Sequence, residues 1–152
     1  MLPCERFRWR GWVDAIALEF TNQLIDKWTF SGSPYEMRTP LEQIRGELAE
    51  LQYLLQEKPD MFIVLDELVL RSLHDPAILH MIKWLDEGWH TYLEQVIRSG
   101  IEQGLFRAEL DPDSAATWLI LLTKGTTLHF MTNPGAVDFE RIRAGVEHWL
   151  TG

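Results

Sequence analysis

Asp111-Pro112-Asp113-Ser114, followed by Ala115-Ala116-Thr117-Trp118-Leu119-Ile120-Leu121-Leu122-Thr123-Lys124-Gly125-Thr126-Thr127-Leu128-His129-Phe130-Met131, is the stretch whose reading decides the fold. The Asp111 carboxylate suits an N-cap, where it accepts the exposed amides of a first helical turn, and Pro112 supplies the fixed φ of the first helical position. From Ala115 to Met131 there is one charge in 17 residues, Lys124. A helix that is apolar on nearly every side must be covered on nearly every side. A chain of 152 residues has few other helices to cover it. The stretch therefore predicts an all-α protein, and a second copy packed symmetrically against this helix is the cheapest cover. Gly125 and Thr126 permit close approach of another backbone.

The same punctuation recurs on both sides. Upstream, His74-Asp75-Pro76 opens the longest helix, over Pro76 to about Gln103, and Gly104 suits its left-handed C-cap. Lys58-Pro59-Asp60 separates a helix over Pro59 to about Leu73 from one that ends near Glu57. That earlier helix begins at a capping box, Thr39-Pro40-Leu41-Glu42, and carries Leu41, Ile44, Leu48, Leu51 and Leu55 on one face. A first helix is expected from about Trp9 to Trp28, closed by Ser31-Gly32-Ser33-Pro34. Downstream, Asn133-Pro134-Gly135 stops the uncharged helix, and Asp138 caps a last one with Phe139, Ile142, Val146 and Trp149 as its stripe. Six helices joined by short proline-marked turns make one bundle-like domain of orthogonal and antiparallel helices.

Charge and composition exclude several classes of function. The net charge is −9, and five of the 14 basic and five of the 23 acidic residues fall in residues 1–38. The rest of the chain thus carries the whole excess and would repel a phosphate backbone. A basic cluster, Arg6-Phe7-Arg8-Trp9-Arg10, reads as a solvated chain end. One cysteine, Cys4, rules out an internal disulfide. With no leader pattern and no apolar run long enough for a membrane span, the cytoplasm is the expected compartment. Phosphate-binding loops, nucleophile elbows, paired-cysteine zinc patterns and His-Glu-x-x-His are all missing, so no enzyme and no cofactor are expected.

Three features are candidates for binding. His90 shares a helical face with Asp86 and Glu94, a pattern better explained by ordinary ion pairs than by a metal. Met61 to Leu70 is apolar nearly all round, which predicts a central buried helix, and Asp66 lies inside that run. An isolated buried carboxylate is expensive, so Asp66 needs a partner or a role as polar reader of a ligand. Aromatic side chains between helices commonly line cavities for apolar small molecules, and Tyr53, Phe62, Trp84, Trp89 and Trp118 are placed to do so. For self-pairing the candidates are Trp118, Leu119, Leu122, Thr126 and His129 on the uncharged helix. On the last helix they are Phe139, Ile142, Val146 and Trp149.

The run Ile97-Arg98-Ser99-Gly100-Ile101-Glu102-Gln103-Gly104-Leu105-Phe106-Arg107, then Asp111-Pro112-Asp113 and an alanine-rich apolar helix, resembles the C-terminal region of TetR-family transcriptional regulators. Glu57-Lys58-Pro59-Asp60 and Leu73-His74-Asp75-Pro76 share the likeness, which covers roughly residues 7–150. Phe7-Arg8-Trp9-Arg10-Gly11-Trp12-Val13 resembles a degraded junction between such a region and a DNA-binding unit, with Trp9 and Gly11 departing from the pattern. The resemblance implies a junction remnant over residues 1–8, an effector-binding and dimerisation domain over 9–152, and a helix-turn-helix lying outside this chain. It also implies a homodimer formed through the last two helices and an apolar or aromatic small-molecule effector held among the earlier ones. Effector binding would then swing the first helix and respace the DNA-reading heads. The other reading is a stand-alone helical protein that pairs with itself or with a full-length regulator and reads no ligand.

Overall fold

The structure is a computed structural model that describes residues 38–152. The expected junction remnant and the helix from Trp9 to Trp28 lie outside the described residues, as do Cys4 and the N-terminal arginines. Five α-helices follow in order: α1 Pro40–Glu57, α2 Pro59–Ser72, α3 Pro76–Glu102, α4 Pro112–Thr132 and α5 Phe139–Thr151. A short 3-10 turn, Pro134–Ala136, separates the last two. The described residues contain no strand, as the sequence predicts.

Local chemistry sets the helix starts. Thr39 donates its backbone N–H to Glu42 Oε2 at 2.8 Å, and the Glu42 N–H returns to Thr39 Oγ1 at 3.2 Å, a complete capping box. Asp75 accepts the amides of Ala77 and Ile78, Asp111 that of Ser114, and Asp138 that of Arg141. Four of the five helices therefore begin on a side chain that satisfies amides with no intrahelical partner. Gly104 takes φ +71 after the end of α3, where a side chain would be strained. That turn folds Phe106 back over Gly100, whose missing Cβ would lie 2.1 Å from the ring.

The main core joins α1, α3, α4 and α5. Ile44 and Leu48 meet Leu93, Val96 and Ile97, with Phe106, Ala116, Leu119, Val146 and Leu150 closing round them. Arg107 ties the α3–α4 loop to the end of the chain. Its backbone N–H donates to Leu150 O at 2.8 Å and its Nε–H to Trp149 O at 2.7 Å, capping carbonyls at the end of α5. Arg45 of α1 grips Glu147 of α5 through two hydrogen bonds of 2.5 and 3.0 Å.

A second, smaller cluster holds α2. Leu68 is buried among Val64, Leu65, Ile78, Met81 and Ile82. This corrects the expectation that the all-round apolar helix is central. Its buried residues are Leu68 and Ser72, while Ile63, Val69 and Leu70 are exposed, Leu70 by 65%. The described neighbours of α2 are α1 and α3, so they cannot cover its whole circumference.

Candidate functional site

Helical geometry sorts the aromatic candidates. On α1, Leu51 and Leu55 point inward, and Tyr53, two residues from each, falls on the opposite side and is 56% exposed. On α3, Trp84 and Trp89 are five residues apart, a rotation of about 140°. Trp84 accordingly faces out while Trp89 is half-buried. Phe62 on α2 is half-buried, and Trp118 on α4 is 66% exposed. Of the six ligand candidates, Trp89 lines a small cavity between α1, α3 and α4, together with Ile44, Glu47, Leu48, Leu93, Leu119 and Thr123. Its volume of about 30 Å³ is room for a water rather than for an effector. The periodicity of Ile44 and Leu48 with Leu93 marks this face in the sequence. The inward Glu47 and Thr123 went unrecognised there.

Asp66 stands apart from that cavity, on α2. Its Oδ2 is buried and has no hydrogen-bond partner among the described residues. Desolvation by its apolar surroundings pushes the carboxyl above the ordinary carboxylate range. The chemistry therefore leaves one acceptor unused in a largely apolar setting.

The helix α4 divides cleanly into two arcs. Ala115, Ala116, Leu119, Ile120, Thr126 and Thr127 are buried within the chain. Trp118, Leu121, Leu122, Gly125, Leu128 and His129 share the other side and are exposed. The pairing candidates are split by this division: Trp118, Leu122 and His129 face outward, whereas Leu119 and Thr126 face the chain's own core. On α5, Val146 is buried, and Ile142 and Trp149 pack against that same core. Phe139 is half-buried and meets Phe130 with ring centroids 5.6 Å apart. The outward residues of α5 are instead Glu140, Arg141, Ala144, Gly145, His148 and Thr151.

The polar face of α3 is engaged by α4. Lys124 donates to Asp86 at 2.7 Å, which takes Asp86 away from His90. In its place Asp113, 23 residues along the chain, brings Oδ1 to 3.0 Å from His90 Nε2, while Glu94 lies 4.0 Å from Nδ1.

Residues 40–152, all five helices, match the family described as BetI-type transcriptional repressor, C-terminal. The chain belongs to this family. A comparison with curated proteins returns no match. The TetR-type resemblance therefore holds across the described helices, and the family is one of transcriptional regulators. Among the described residues no helix is long and apolar enough to cross a membrane.

Proposed function

We propose that this chain is the effector-sensing and self-pairing part of a TetR-type transcriptional regulator, in which a small molecule bound among the helices alters DNA binding. The observation that carries the proposal is the outward arc of α4. Trp118, Leu121, Leu122 and Leu128 leave an apolar strip in water on a helix that already fills its own core with its other side. Contiguous apolar surface of this kind marks an interaction site, and a two-fold copy covers it with the same strip. The acidic body does not suit contact with a duplex, so DNA reading falls to a separate unit.

The effector is a largely apolar molecule carrying a group that can donate to Asp66. Of the aromatic candidates Phe62 and Trp89 are half-buried, and displacement of α2, which among the described residues packs on α1 and α3, would enlarge the space between them. The test of pairing is Leu122→Glu, which sets like charges facing one another across the two-fold seam. It should convert a dimer to a folded monomer in light scattering. A folded dimer after that substitution would place the interface elsewhere. A second reading, self-pairing without any effector, is favoured by the size of the cavity at Trp89. A thermal scan against apolar amines and phenols separates the two. A concentration-dependent rise in midpoint that is lost in Asp66→Asn supports the effector reading.

A further inference from the structure

We propose that His90, Glu94 and Asp113 form a divalent transition-metal site that ties the first turn of α4 to the middle of α3. Each residue offers a donor atom, and the three atoms lie within 4.8 Å of one another. His90 Nε2 already stands 3.0 Å from Asp113 Oδ1. Ligands at about 2.0–2.2 Å from a tetrahedral ion are roughly 3.4 Å apart, so the His90–Asp113 pair is already near ligand spacing and side-chain adjustment is needed to bring Glu94 to the same nitrogen. Both carboxylates have that freedom, since the Asp113 side chain is largely exposed and the Glu94 side chain partly so. His90 and Glu94 are four residues apart on one helical face, and the tertiary fold supplies the third donor.

Donor chemistry selects the ion. An imidazole nitrogen with two carboxylate oxygens favours zinc and its neighbours over magnesium or calcium, which take all-oxygen sets. The local field also favours a cation. Two carboxylates contribute about two negative charges, against roughly half a positive charge from the α4 N-terminus. Arg98, which donates to Glu94 at 2.6 Å, is the competing cation and releases one oxygen or shares the carboxylate. No electron or group transfer is involved. The role is a cross-link between the two helices, one of which carries the proposed pairing face.

Calorimetric titration of zinc chloride into chelator-stripped full chain tests the site. One ion per chain should bind and raise the thermal midpoint. His90→Ala and Asp113→Asn should each weaken zinc binding by about tenfold or more. Asp86→Asn, whose carboxylate is held by Lys124, and His148→Ala, on α5, should leave it unchanged. Zinc affinity unaltered by His90→Ala, or lost instead in His148→Ala, would overturn the assignment. So would the absence of saturable binding, which would reduce the cluster to an ion pair.

Discussion

The two ends of the domain are built from similar apolar helices and are held very differently. Where α1, α3, α4 and α5 meet, Ile97 and Leu150 are fully enclosed by residues from several elements. Where α2 leans on the start of α3, Leu68 is the one buried hydrophobic side chain among the described residues. Among the described residues the difference lies in the number of neighbours rather than in hydrophobicity, since α2 is rich in Phe, Ile, Val and Leu. Apolar sequence supplies the demand for burial, and topology decides how much of it is met. Local stability varies across a fold in the same way, and segments that move for ligands come from its weakly held parts. The thin end also holds Asp66, whose Oδ2 is buried with no hydrogen-bond partner among the described residues.

The largest expected effect separates the two ends directly. Ile97→Ala removes methyl groups from a site enclosed by several helices and should cost about 4 kcal/mol. Leu68→Ala should cost about 2 kcal/mol, because the lightly packed α2 can settle into the vacated space. Urea unfolding at one fixed protein concentration reads both, since pairing makes the midpoint concentration-dependent. Equal costs would mean that the thin end is as firmly held as the core.

Much of this architecture was legible in the sequence, for a local reason. Thr39, Asp75, Asp111 and Asp138 act on amides within three residues, so their caps could be read without tertiary information. Facing was harder. Tyr53 and Trp84 are aromatic, but their position relative to Leu51, Leu55 and Leu85 already turns them outward. Leu119 and Thr126 cannot be told from Trp118 and Leu122 by charge, because Lys124 alone is charged between Ala115 and Met131 and threonines occur on both sides of the helix. The His90 cluster was half visible: Glu94 is on the same helix, whereas Asp113 arrives only when α4 folds back along α3. Asp86 fits the local pattern equally well, and Lys124 claims it. Asp66 was identified as the anomaly of its helix, but the light packing round that helix depends on how many neighbours reach it.

A smaller effect is expected at Asp66. Burial raises its folded-state pKa, so the folded protein holds this proton more tightly than the unfolded chain does. Its penalty is absent in acid, appears as pH rises through the ordinary carboxylate range and is complete above the raised value. Asp66→Asn should therefore leave acid stability nearly unchanged and add about 1 kcal/mol near neutral pH. Thermal melts from acid to neutral pH would show the difference opening. A loss of stability at neutral pH would instead mean that the carboxylate has a favourable partner when ionised.

The smallest effect comes from the thick end and has the opposite sign. Glu147 accepts both hydrogen bonds from Arg45, and this contact holds its carboxyl below the ordinary range. The Arg45 guanidinium is raised by the same contact, so the two shifts agree in direction. A depressed carboxyl contributes stability above the ordinary carboxylate range and loses it as pH falls through the lowered value. Glu147→Gln should thus destabilise near neutral pH and do little in acid, the mirror image of Asp66→Asn. Arg45 is exposed and Glu147 partly so, which keeps the contribution small and open to ionic screening. At about 1 M salt the Debye length falls to about 3 Å, and most of the Glu147→Gln deficit should vanish. The Asp66 penalty arises from lost hydration and should persist in the same buffer. A double-mutant cycle of Arg45→Gln with Glu147→Gln, measured at low and high salt, checks this. Coupling that survives high salt would show that the clasp between α1 and α5 is held by its hydrogen-bond geometry and not by charge.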